Sequence, residues 1–259
     1  MKHFIEHLHD LLQAGTPFVS VTVVDAVGSV PQDQGAKMLV TEAGRFYGTV
    51  GGGRIEKKAI DEARNLLKSE GRAQFVDWNL KRDVGMTCGG SLKLYFEAFN
   101  VESWRIVIFG AGHEANALSR VLVDLDCRIT CYDTREEWLA RLPDSVRLTR
   151  VHSTDLASEV AGLPDDAFVL LMTMGHTTDR PILLEILRTR SFPYLGVIGS
   201  KAKAARLRKD IAEAGLPPDA GKAFYCPIGL PVGSNHPTEI AVSIVAQLLQ
   251  ERDRIRKEQ

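Results

Sequence analysis

The segment from Arg105 to Glu114, RIVIFGAGHE, constrains the fold of this chain more than any other stretch. Ile106, Val107, Ile108 and Phe109 make a short, largely β-branched apolar run bounded by turn residues. Such a run reads as a strand buried on both faces of a parallel sheet. Gly110, Gly112 and Ala115 follow in the pattern G-x-G-x-x-A. The first glycine permits a tight turn, the second lets a phosphate approach the backbone, and the small third residue lets a helix pack close to the strand. A helix opening at His113 would aim its free N–H groups and the positive end of its dipole at an anion. Gly110, Ala111, Gly112 and His113 are therefore candidate ligand-binding residues.

A second apolar run, Cys127 to Tyr132, ends at Asp133, 21 positions after Gly112. A dinucleotide-binding fold places there the carboxylate that accepts the ribose hydroxyls. The plainer reading makes Asp133 a strand-end turn residue that starts the next helix with Thr134. Arg135 stands close enough to weaken a preference for NAD over NADP. Beyond this point strands expected at 146–150, 167–172 and 194–198 alternate with helices at 136–141, after 150, 179–189 and 201–214. That alternation implies a parallel sheet wound on both faces. Gly199-Ser200-Lys201 repeats the strand, glycine turn and helix, so Gly199 and Ser200 should face the same crevice as Gly110 to His113. His176 reads as a solvated loop histidine in preference to a catalytic one. A Pro/Gly-rich loop over 215–236 leads to a last helix at 238–254, where Pro237 suits the first position and Glu239 complements the dipole.

Roughly a hundred residues of different character precede this unit. An amphipathic helix, stopped by Gly15, leads into a strand from Phe18 to Val24. Ala36–Thr41 and Phe46–Val50 flank Glu42-Ala43-Gly44-Arg45, a hairpin signal. Ile55 to Leu67 repeats apolar residues at helical spacing, and Ala73–Leu80 and Leu92–Phe99 read as further strands. The fold class is thus α/β: an α+β domain over 1–100, a short polar joint, and a Rossmann-like doubly wound domain over 104–259. In the first domain Gly51-Gly52-Gly53 runs directly into a helix that carries Glu56, an arrangement able to present several N–H groups to one anion. Thr87-Cys88-Gly89-Gly90 places a cysteine beside glycine N–H groups that would favour its thiolate. Cys127 and Cys131 fall on one face of a core strand and read as small buried hydrophobes.

At 259 residues, 44% hydrophobic and 25% charged, with a net charge of −1, the chain offers no electrostatic reason to bind nucleic acid or an anionic membrane. No apolar stretch is long enough to span a bilayer, and MKHFIEHLHDLLQAG reads as an amphipathic helix in preference to a secretory signal. Four cysteines without paired metal-ligand spacing lead to the expectation of a reduced, cytoplasmic setting. No P-loop, zinc-protease helix or nucleophile elbow is present. The sites are rich in backbone donors and poor in catalytic side chains, which suits holding a phosphorylated anion better than transforming it.

GSVPQDQGAKMLV, GTVGGGRIE, CGG, IFGAGHEANAL, GVIGSK and PIGLPVGSNHPTEIAVSIVAQLL occur in that order. On these motifs nearly the whole chain resembles the xanthine dehydrogenase accessory protein family (XdhC/CoxI type). The resemblance implies a chaperone that binds the molybdenum cofactor (a molybdopterin), shields it, supports its sulfuration and delivers it to xanthine dehydrogenase. It further implies a cysteine desulfurase as sulfur donor, a homodimer, and an accessory rather than an enzymatic role. Gly51, Gly52, Gly53, Glu56, Cys88, Gly89 and Gly90 match its N-terminal motifs, and Gly110, Gly112, His113 and Gly199 its C-terminal ones. Two departures stand out: Thr173-Met174-Gly175-His176 where the family often has Thr-His-Asp, and His236 where it often has Thr. The competing reading is an NAD(P)-dependent oxidoreductase on a small substrate, with His176 or Lys201 as its acid. A nucleotide-sensing regulator ranks last, since no basic or helix-turn-helix segment is present.

Overall fold

Helix α1 (Lys2–Gln13) stops where Gly15 takes a φ of 60°. It opens the first of two compact units, Met1–Ser103 and Trp104–Gln259, in a computed structural model that describes residues 2–69, 71–87, 89–101 and 104–258. Then come β1 (Phe18–Val27), β2 (Lys37–Thr41), β3 (Gly44–Gly48), α2 (Gly53–Lys68), β4 (Ala73–Asn79) and β5 (Ser91–Phe99). Their order in the sheet is β3-β2-β1-β5-β4, with every neighbouring pair antiparallel. Ile55, Ala59, Ala63 and Leu66 recur on one side of α2 and bury against Val19, Val21, Val23, Leu92, Leu94 and Phe96. The alternation in β5 sends every second residue into that core. The hairpin is tighter than expected: Thr41 pairs with Gly44 across Glu42-Ala43, and Gly44 and Arg45 belong to β3. Gly44 can do so because its φ is 123°. The strand therefore ends at Gly48, two residues before the expected end, leaving Thr49 and Val50 free to shape the turn into α2.

The second unit comprises β6 (Arg105–Phe109), α3 (His113–Leu122), β7 (Arg128–Asp133), α4 (Glu136–Leu139), β8 (Leu148–His152), β9 (Phe168–Leu171), α5 (His176–Thr189), β10 (Tyr194–Val197), α6 (Lys201–Glu213) and α7 (Pro237–Glu258). Its sheet is parallel throughout, in the order β10-β9-β6-β7-β8. The two-residue period of the strands divides the core cleanly. Ile106, Ile108, Ile129 and Leu170 pack against α3 and α7, whereas Val107, Phe109, Val169 and Leu171 pack against α5 and α6. The helix expected after β8 is only a 3₁₀ turn, Ser158–Gly162. Helix α5 begins at His176, three residues earlier than expected, and α7 runs on to Glu258. Among the described residues no helix is long and apolar enough to cross a membrane.

Candidate functional site

In the first unit three separated glycine motifs come together at one end of the sheet. A Cβ on Gly51 would lie 2.5 Å from Pro31 Cγ, and one on Gly90 would lie 2.6 Å from Ser29 O and 2.7 Å from Val27 O. The backbone approaches so closely only because both positions lack a side chain. The start of α2 is tied to the loop before β5: Arg54 donates to Gly85 O, and Lys58 Nζ to Asp83 O at 2.6 Å. Thr49 organises the triple-glycine turn. Its Oγ1 accepts the N–H groups of Gly51 and Gly52, each at 3.2 Å, and donates to the Glu56 carboxylate, which pairs with Arg45 at 3.1 Å. Glu56 thus works as an anchor of the turn.

Gly52 and Gly53 take φ of 66° and 56°, with nothing within 4 Å of where a Cβ would stand, and the space around Gly89 is likewise clear. Among the described residues no acceptor takes the N–H groups of Gly53, Arg54 or Ile55, the first three donors of α2. The result is an open, donor-rich turn at the positive end of a sixteen-residue helix. Cys88 lies outside the described residues.

In the second unit the Gly110 turn sits where the strand order reverses. β6 has β7 on one side and β9 on the other, the crevice position at which open α/β sheets bind ligands. Gly110 has a φ of 104°, and a Cβ there would come within 2.3 Å of Met172 O. Gly112 precedes α3 with almost nothing near its Cβ position; the nearest atom is Glu114 Oε2 at 3.9 Å. Ala111 N–H donates to Asp133 Oδ2 at 2.6 Å, so the β7 carboxylate holds the turn in place. Burial pushes the Asp133 carboxyl pKa up, but the Arg135 guanidinium and the Ala111 and Arg135 amides outweigh it, so the net shift is downward. His113 stands edge-on to Trp138 at 4.9 Å and, with Asn116, Arg120 and Thr238, lines an open groove of about 470 Å³.

Gly199 and Ser200 lie at the same edge, beyond β9, and local packing accounts for both. Ser200 caps α6 by accepting Lys203 N–H at 3.3 Å, and a Cβ on Gly199 would meet Lys203 Cδ at 2.4 Å. That lysine belongs to a cluster the sequence did not suggest. Lys203 donates to Asp179, which is fully buried, and to Ile198 O at 2.8 Å, while Thr173 Oγ1 donates to Asp179 at 2.6 Å. The ends of β9 and β10 are pinned together by this ion pair. His176 is not the solvated loop residue expected from its sequence: as the first residue of α5 it hydrogen-bonds Asp210, which is 2% exposed and also faces Arg180 and Arg206. Only the (i, i+4) spacing of Arg206 and Asp210 hinted at this from sequence.

Cys127 and Cys131 are buried, as their place on a core strand implies, and burial with the nearby Asp133 pushes the Cys131 thiol up to about 12. Cys226 is half-buried; burial raises its thiol pKa against the opposing pull of Lys203 and Arg208. A raised thiol pKa leaves little thiolate below the ordinary value and more as pH climbs past it. Iodoacetamide labelling with peptide mapping should therefore modify Cys226 more slowly than a free thiol at pH 7.5 and accelerate above pH 9. Cys127 and Cys131 should stay unmodified until the chain unfolds.

These features define an α/β protein with a Rossmann-type ligand edge, preceded by an α+β unit with a glycine-built anion turn. Residues 106–248 match the model of the XdhC Rossmann domain, and residues 11–79 that of the XdhC and CoxI family. The chain belongs to the XdhC family. It is 30% identical over 246 residues to the uncharacterized protein YqeB of Escherichia coli (strain K12), covering 93% of this chain and 44% of YqeB. It is 29% identical over 153 residues to a probable xanthine dehydrogenase subunit of Bacillus subtilis (strain 168), covering 58% of this chain and 44% of that protein. The chain thus spans less than half the length of these two relatives. With the molybdenum cofactor insertion chaperone PaoD of Escherichia coli (strain K12) it shares 23% identity over 275 residues, covering 94% of this chain and 86% of PaoD. A crystal structure described as a xanthine dehydrogenase from Bacillus halodurans superposes with a TM-score of 0.52 over 98% of this chain and 96% of that one. At 23% identity that likeness is one of fold.

Proposed function

We propose that this chain binds the molybdenum cofactor as cargo, shields it, supports its sulfuration and delivers it to a xanthine dehydrogenase-type enzyme. Xanthine dehydrogenase as recipient, a cysteine desulfurase as sulfur donor, a homodimeric state and a cytoplasmic setting belong to the same reading. The observation that carries it is the open turn at Gly52 and Gly53, with three N–H donors at the start of α2 that no acceptor among the described residues takes, in a chain of the XdhC family. Molybdopterin is a phosphorylated anion, and such a turn supplies the fixed donors its phosphate needs. Among the described residues Thr49 and Glu56 are taken up in holding this turn, which favours a holder over a catalyst. Kinship with PaoD supports cofactor handling as the purpose.

Equilibrium binding of freshly released molybdenum cofactor to the whole chain, under anaerobic conditions, tests the proposal. Tight binding at one per chain with slowed oxidation of the bound form is expected; no binding would refute it. Gly52→Ala forces an L-residue into positive φ without a clash, at a cost of about 1 kcal/mol. It should weaken cofactor binding about tenfold by distorting the turn. Cys88 is proposed to contact molybdenum or the transferred sulfur. Full protection and transfer by Cys88→Ala would remove that role.

A second reading concerns the other unit. The Gly110 turn at the point where strand order reverses favours a nucleotide ligand there, with Gly110, Ala111, Gly112, His113 and Asp133 around it and NAD(P) as the first candidate. Titration with NAD⁺, NADH and NADP⁺ tests this independently of the cofactor. Turnover of a small substrate with NAD(P)H would bring forward the oxidoreductase alternative.

A further inference from the structure

The corner beside the Gly110 turn holds two guanidiniums, Arg135 and Arg141, that a ribose diol does not require. Asp133 is 3% exposed, and both of its carboxylate oxygens are engaged. Oδ2 accepts Ala111 N–H at 2.6 Å and Arg135 Nη2–H at 2.9 Å; Oδ1 accepts Arg135 N–H and Nε–H, both at 2.9 Å. A carboxylate has about four lone-pair sites, and here four donors fill them. While Arg135 stays in place, Asp133 has no capacity left for the paired hydroxyls of an unmodified ribose.

Arg135 itself has capacity to spare. Of a guanidinium's five N–H donors, two go to Asp133, which leaves three. Its plane lies over Trp138, 4.9 Å from the ring centre, and Arg141 lies over the same indole at 4.5 Å. The edge-on contact of His113 with that ring brings a third nitrogen-bearing side chain to the corner. Among the described residues no carboxylate pairs with Arg141 or His113. Two guanidiniums held on one indole, one of them already neutralising the acidic residue, suit an oxyanion with several acceptor oxygens.

We infer that this corner recognises a phosphate on the ribose, so that the second unit takes an adenosine 2′-phosphate ligand, NADP(H), in preference to NAD(H). The inference rests on the reading of this unit as a nucleotide-binding unit and adds the chemistry of its specificity. Arg135 and Arg141 give the phosphate forked donors. Among the described residues no acceptor takes the N–H groups of His113, Glu114 or Ala115 at the start of α3, and these take the pyrophosphate.

Calorimetric titration of the full chain with NADP⁺, NAD⁺, 2′-AMP and 5′-AMP tests it. NADP⁺ should bind at least about tenfold tighter than NAD⁺, and 2′-AMP tighter than 5′-AMP by a similar factor, as charge-assisted contacts predict. Arg141 is exposed and, among the described residues, its side chain is seen against Trp138, so Arg141→Ala should fold normally while the NADP⁺ preference shrinks several-fold. Arg135→Ala should weaken NADP⁺ and strengthen NAD⁺, because it releases Asp133 to accept the ribose hydroxyls. NAD⁺ binding equal to or tighter than NADP⁺ in the unaltered chain overturns the inference and leaves the nucleotide reading intact. Failure of all four ligands to bind overturns both.

Discussion

Gly110→Ala is expected to destabilise the second unit by about 2–5 kcal/mol and to abolish the nucleotide binding proposed for it. The added Cβ would lie 2.3 Å from Met172 O, 2.6 Å from Met172 C and 2.8 Å from Thr173 Cα, all backbone atoms of the neighbouring strand end. Backbone cannot swing aside as a flexible side chain would, so β6 and β9 must part where Met172 N–H bonds Phe109 O at 2.7 Å. The φ of 104° adds strain for any L-residue. Gly112→Ala is the instructive companion. Its φ is −65° and its Cβ would meet only Glu114 Oε2 at 3.9 Å, so stability should fall by no more than about 1 kcal/mol. Yet the methyl group would occupy the space a phosphate needs, and binding should fall sharply. Urea denaturation alongside NADP⁺ titration separates the cases. Equal stability loss in both variants would count against a steric role for Gly110 that Gly112 does not share.

Lys203→Met should cost about 3–5 kcal/mol, because it leaves the Asp179 carboxylate buried without its counter-charge. Asp179 is fully buried, and its other partners, Thr173 N–H and Thr173 Oγ1, are neutral. The loss should appear as early unfolding of the edge formed by β9, β10 and the start of α6, read by faster amide exchange at Ile198 and Thr173. Asp179→Asn combined with Lys203→Met removes both charges but keeps an acceptor for Thr173, and should recover most of the lost stability. A double variant as unstable as the single one would mean that packing of the lysine stem, rather than charge, holds this edge.

Part of this edge is legible in the residues themselves. Ile106 to Phe109 announce a strand buried on both sides, and they do alternate between the α3–α7 and α5–α6 cores. The spacing from Gly112 to Asp133 places a carboxylate at the end of the next strand, beside the turn. Sequence misjudges elements whose character depends on distant partners. His176 reads as a loop histidine because Asp210 stands 34 positions away, and only the crossing of α5 and α6 joins them. Lys203 looks like an ordinary surface helix residue until Gly199 lets it pass inward to Asp179, 24 positions earlier.

The glycine clusters divide along the same line. From sequence each could be a flexible connector, since a glycine run states what the backbone is allowed to do and not what it does. The alternation of apolar residues, the strand–turn–helix rhythm and the motif order were determined by the sequence alone, because short-range periodicity records which face of each element is buried. Tertiary structure alone decided that Gly51 closes on Pro31 and Gly90 on Ser29, and that Glu56 anchors the triple-glycine turn through Thr49. It also decided that Asp133 is claimed by Arg135, although only two positions separate them. A side chain's available valences depend on every group that reaches it in space, and that inventory exists only once the chain has folded.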